Sequence, residues 1–167
     1  TKGTSYSVAK GAGCNVSEIS MNIHCTGTHT ECVGHLLKTS NSVVENIKDC
    51  FFPAILLTVK PTSFSNCYDN YHVKVKKEEQ VISKSILENQ FIKLKKYNPM
   101  SVIIRTLPNP SEKKFYSYSE KIPPFFTNDA IAFLISQDIE HLVVDLPSLD
   151  KTNDEGKLGN HRIFWGK

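Results

Sequence analysis

The chain has 167 residues and a mass of 18.8 kDa, a length that as a rule means one domain with a core of its own. With 40% apolar, 22% charged and 10% aromatic residues it reads as globular, which excludes collagen-like, low-complexity and wholly disordered chains. A net charge of +3 is mild, and the lysine groups 74/76/77 and 93/95/96 have acidic neighbours or an amphipathic pattern, so a solvated face is expected rather than a nucleic-acid groove.

Taken in chain order, residues 1 to 20 are loop-rich, with Gly3, Gly11, Gly13 and several serines. Rough alternation from Val16 to Ile23 predicts a strand leading into a His-rich stretch, and Asn41 to Lys48 reads as a short turn or helix. Ala54 to Val59 is a β-branched and apolar run between Pro53 and Pro61, which predicts a buried strand. The longest apolar run, Phe51 to Val59, falls far short of the roughly 20 residues of a membrane span.

Ile86, Leu87, Phe91 and Leu94 recur at helical spacing between Ser83 and Lys96, with Ser83 placed as a cap and lysines near the end. Ser101 to Arg105 is the next predicted strand. A helix from Thr127 to about Ser136 then feeds a strand at His141 to Val144, an order that suggests a crossover unit in an α/β fold. The stretch from Pro108 to Phe126 carries Phe115, Tyr116 and Tyr118 and shows no evident element; it is either a small hairpin or a substrate-facing lid.

Five cysteines, an odd number without a CxxC pair, suggest reduced thiols and a cytoplasmic setting. The chain opens on Thr1-Lys2-Gly3 and closes on Ile163 to Lys167 just after an apolar segment begins, so it is expected to be part of a longer polypeptide.

The stretch His24-Cys25-Thr26-Gly27-Thr28-His29-Thr30-Glu31-Cys32-Val33-Gly34-His35 gathers imidazole, thiolate and carboxylate, the groups that bind Zn²⁺ and related ions. On an extended backbone Cys25, His29, Glu31 and His35 share one face, which favours Cys25, His29 and Glu31 as ligands. Bends at Gly27 and Gly34 keep His24 as a substitute. His29-Thr30-Glu31 matches half of the zinc deaminase signature, but no Pro-Cys-x-x-Cys follows. HExxH, P-loop, GxGxxG and GxSxG motifs are absent. A second cluster lies at Asp145-Leu146-Pro147-Ser148-Leu149-Asp150, Asp154-Glu155 and His161-Arg162; alone it reads as turn chemistry.

Together the two stretches resemble the cyclase, or kynurenine formamidase-like, family of metal-dependent amidohydrolases. That family carries His-x-Gly-Thr-His-x-Asp-x-x-x-His early and Asp-x-x-Ser-x-Asp later, followed by His-Arg. The resemblance implies a swivelling β/β/α domain, a mixed sheet core with flanking helices, working as a homodimer or higher homo-oligomer. It implies metal-assisted cleavage of a C–N bond in a small amide, formamide or cyclic amide, with His29, Glu31 and His161 as ligands and His35 as acid/base. Cys25 stands where the family has its first ligand His, and Glu31 replaces an Asp. A thiolate there favours Zn²⁺ over Mn²⁺. The family's last carboxylate ligand would lie beyond Lys167. The alternatives are a non-catalytic small-molecule-binding relative with an altered metal site, and a redox protein using Cys25 and Cys32.

Overall fold

Three strands rich in Ile, Leu and Val form a parallel sheet: β1 (Ala54–Val59), β4 (Ser101–Thr106) and β6 (His141–Val144), in the order β1-β4-β6. The computed structural model describes residues 6–49 and 51–166, and the chain divides into two compact units, Thr1–Asn46 and Ile47–Lys167. Thr1 to Gly3, Cys50 and Lys167, noted above from the sequence, lie outside the described residues.

The first unit holds short turns and, among its described residues, no strand: 3-10 turns at Val8–Lys10 and Val33–His35, and the four-residue helices α1 (Ile23–Thr26) and α2 (Val43–Asn46). The strand expected from Val16 to Ile23 is not formed. Alternation alone gives a segment no backbone partner, and here Val16, Ile19, Met21 and Ile23 are all exposed.

The second unit is a mixed α/β structure. A smaller mixed sheet, β2 (Thr62–Ser63), β3 (Gln80–Ile82) and β5 (Phe125–Phe126), pairs β2 antiparallel and β5 parallel to β3. Helices α3 (Lys84–Phe91), α4 (Asn128–Ser136) and α5 (Gly159–Trp165) flank the sheets, and neither sheet closes into a barrel. The expected α/β class with flanking helices is formed, as one parallel and one mixed sheet. The core is the inward face of the parallel sheet (Ile55, Leu57, Val59, Val102, Ile104) packed with Leu87 and Phe91 of α3 and Ala130, Ile131 and Leu134 of α4.

β1, β4 and β6 match the expected strands nearly residue for residue, and α3 and α4 each lie between successive parallel strands, as crossover connections require. Burial in β1 nevertheless alternates: Leu56 is about half exposed and stands in register with Ile103, which stands in register with Val143. The uninterrupted apolar run therefore has one face in the core, not two. Helix α3 stops at Phe91, so the lysines expected to complement its dipole fall beyond it, two of them in a 3-10 turn at Lys95–Tyr97 that ends on Asn98 in the left-handed region. Ser83 occupies the N-cap position but bonds Ser85 instead; Asp69 accepts from the Lys84 amide at 2.6 Å and does the capping. In α4, Thr127 caps directly by accepting from the Ala130 amide.

The 108–126 segment is no hairpin. It contains a 3-10 turn at Ser111–Phe115 and ends in β5. Lys113 ties it to the C-terminal ends of β4 and β6: its Nζ bonds Asp145 at 2.6 Å and the Thr106 hydroxyl, while Asp145 also accepts from the Thr106 amide.

Candidate functional site

The loop carrying the His-rich stretch is shaped by close backbone packing. A Cβ on Gly34 would fall 2.0 Å from the Asn41 carbonyl oxygen, so only glycine allows that approach. Cys32 directs its thiol at the same carbonyl, at 3.5 Å. Beyond it, Ser42 and Glu45 form a capping box: the Ser42 hydroxyl accepts from the Glu45 amide and the Glu45 carboxylate from the Ser42 amide at 2.7 Å. Those hydrogen bonds hold the Glu45 carboxyl below its ordinary range. The 3-10 turn that presents His35 is therefore bounded by fixed contacts.

Within this unit one carboxylate oxygen, Glu31 Oε2, faces three imidazoles: His24 Nδ1 at 3.3 Å, His29 Nε2 at 4.0 Å and His35 Nε2 at 4.0 Å. The His24 ring lies 4.3 Å from that of His35 and 4.9 Å from that of His29. His29 Nδ1 donates to the Gly27 carbonyl at 2.8 Å. A carbonyl only accepts, so Nδ1 carries the hydrogen and the lone pair sits on Nε2, the nitrogen turned toward Glu31.

His24, His29 and Glu31 bring one donor atom each within 4.8 Å of one another, a group that could hold a metal ion. Ligand atoms about 2 Å from an ion are at most about 4 Å apart. The His24–Glu31 and His29–Glu31 separations of 3.3 and 4.0 Å lie within that limit, and two imidazoles with a carboxylate are donors of the right chemistry.

Of the residues expected from the sequence, His29, Glu31 and His35 are brought together, with His24 as the added partner. Cys25 is an exposed free thiol outside the group. The reason is local: residues 23–26 turn as a helix rather than running extended, and the alternation that placed Cys25 beside His29 requires extended backbone. Cys14, Cys32 and Cys67 are also free thiols.

His161 belongs to the second unit, on α5, and is buried. Its Nδ1 donates to Asp150 Oδ2 at 2.6 Å. Asp150 also accepts from the Asn160 amide at 2.8 Å and from the Tyr71 hydroxyl at 3.1 Å. Burial alone would raise the Asp150 carboxyl, but the His161 and Asn160 hydrogen bonds and the His161 charge outweigh it and hold the group below its ordinary value. Burial, with Asp150 adding to it, pushes the Tyr71 phenol well above its usual range. Asp154 does the turn chemistry its composition suggests, accepting from the Gly156 and Leu158 amides and so securing the left-handed Leu158 that precedes α5.

Sequence reasoning passed over His72. Its Nε2 lies 3.8 Å from Asp150 Oδ1 and 3.7 Å from Asp154 Oδ2, and these three residues form a second group whose donor atoms lie within 4.8 Å of one another. No spacing marks His72.

The fold and these groups define a mixed α/β protein with clustered imidazoles and carboxylates able to hold a metal ion. The family described as "Putative cyclase" matches residues 3–151. The chain belongs to that cyclase family. The matched span includes the whole His-rich stretch and Asp145 to Asp150; His161 lies past its end. No curated protein matches the chain. Among the described residues no helix is long and apolar enough to cross a membrane.

Proposed function

We propose that the protein is a metal-dependent hydrolase that cleaves the C–N bond of a small amide, formamide or cyclic amide, in the manner of kynurenine formamidases. The observation that carries this reading is the convergence of His24, His29 and His35 on Glu31 Oε2, with the His29 lone pair fixed toward it by the Gly27 carbonyl. His24, His29 and Glu31 would hold the ion; the family motif counts His161 among its ligands, an assignment that rests on the resemblance alone. Two nitrogens and a carboxylate suit Zn²⁺, with Mn²⁺ as the alternative. When bound, such an ion polarises a carbonyl and makes water acidic enough to attack near neutral pH.

His35 is the proton carrier in this reading. Its imidazole takes the proton released by the attacking water and delivers it to the leaving nitrogen, a task suited to a side chain that exchanges protons near neutrality. A cytoplasmic homodimer or higher homo-oligomer is the proposed working form, on the strength of the family resemblance alone.

The test is hydrolysis of an aryl formamide and of a cyclic amide by protein loaded with zinc or manganese. Turnover that falls about 10²- to 10⁴-fold in His35→Ala supports the reading. Stoichiometric metal without turnover on either substrate class sinks it in favour of a non-catalytic binding relative.

A further inference from the structure

His72 is wedged against the start of α5: a Cβ on Gly159 would fall 2.2 Å from His72 Nδ1. The opposite ring nitrogen, Nε2, is buried and has no hydrogen-bond partner. Which nitrogen carries the hydrogen is decided by a chain of amides. The Asn160 side-chain nitrogen donates to the Phe126 carbonyl at 2.7 Å and the Leu149 carbonyl at 3.0 Å, so Asn160 Oδ1 has to accept. It accepts from Asn128 Nδ2 at 2.8 Å, and this same nitrogen lies 3.1 Å from His72 Nδ1. Nδ1 is therefore the acceptor, and the hydrogen of the neutral ring sits on Nε2.

We propose that His72 is a positioning residue for His161, fixed as the Nε2–H tautomer and placed between the carboxylates of Asp150 and Asp154. Two buried carboxylates whose oxygens lie within 4.8 Å repel each other unless positive charge stands between them. The Nε2–H turns the positive end of its bond dipole toward both, its nitrogen 3.8 Å from one and 3.7 Å from the other. Asp150 is thereby aimed at His161, whose Nδ1–H it accepts. Asp154 is kept in place to hold the Leu158 amide at 2.5 Å, where α5 begins. With its hydrogen on Nε2, His72 offers no lone pair to a cation in this group. An ion there would require the hydrogen to move to Nδ1 and Asn128 to turn away.

The assignment of His161 as a metal ligand rests on the hydrolase reading, whereas the tautomer of His72 does not, so the two fail separately. The test is long-range proton–nitrogen NMR of ¹⁵N-histidine-labelled protein, with and without one equivalent of zinc, on wild type, His72→Gln and His72→Phe. The expected result is a pyridine-type Nδ1 and a pyrrole-type Nε2 for His72, unchanged by zinc. Gln retains an N–H facing the carboxylates and should keep the low-field Nδ1–H resonance of His161, while Phe should shift or abolish it. A pyridine-type Nε2 on His72, or a zinc-dependent shift there, overturns the proposal, as does a His161 resonance unmoved in His72→Phe. Should the Phe variant not fold, the wild-type tautomer and the Gln variant still decide it.

Discussion

Asp150 accepts both N–H groups of His161 on one oxygen, the ring Nδ1 at 2.6 Å and the backbone amide at 3.3 Å. One carboxylate thus fixes the place of the residue on α5 and the orientation of its ring, the usual arrangement behind a metal-binding histidine. Asp150→Asn puts an NH₂ or a weaker acceptor where a carboxylate received several donors. The expected cost is about 1–3 kcal/mol for a buried group left unsatisfied, read from urea midpoints at pH 7.

The same carboxyl sets an acid limit. Its native value lies below the unfolded one of about 3.9, so its contribution to stability is fully present above that pH and is lost as pH falls through the lower native value. The stability gap between wild type and Asp150→Asn should be widest near neutrality and shrink below about pH 4. A gap independent of pH between 3 and 7 would mean that the ionised form contributes nothing.

In the first unit the helical turn at Ile23–Thr26 chooses between neighbouring candidate ligands. Cys25→Ser should leave zinc affinity within about twofold, while His24→Ala should weaken it by at least the roughly 10- to 100-fold that losing a ligand's hydrogen-bond partner costs. Competition with a chromogenic chelator measures both, and the reverse ranking would return Cys25 to the site.

Gly159→Ala tests the packing of His72. The added methyl overlaps the imidazole, and overpacking of this kind costs about 1–3 kcal/mol. Combined with His72→Ala the penalty should largely vanish, so the double-mutant cycle is expected to be strongly non-additive. Additive free energies would show that the two sites do not touch.

Asp69 ties two helices together, accepting the Lys84 amide at the start of α3 at 2.6 Å and the hydroxyl of Thr127, the α4 cap, at 2.7 Å. Asp69→Ala should cost about 1–2 kcal/mol, within the range of lost helix caps. An unchanged thermal midpoint would refute that role.

What the sequence made legible follows from how local each signal is. β1, β4, β6 and α4 are marked by unbroken apolar runs or a capping threonine, and each lies where expected. The end of α3 was misplaced because lysines after Phe91 suit a dipole and a solvated turn equally well. In the His-rich stretch the ligand types were visible but their geometry was not. Choosing between His24 and Cys25 depends on whether four residues turn or extend, and nothing in their identity decides that. His72 and Asp69 were hidden because their partners lie far along the chain: Asp150 and Asp154 for the one, Thr127 for the other.

Zinc binding by protein purified without chelators, measured by native mass spectrometry on wild type and His29→Ala, decides whether the His-rich loop holds a metal. Stoichiometric metal is expected on the wild-type chain and its loss in the variant, because His29 Nε2 is the lone pair fixed toward Glu31. A metal-free wild type that takes up no zinc, or a His29→Ala protein that binds zinc as tightly as wild type, would contradict it.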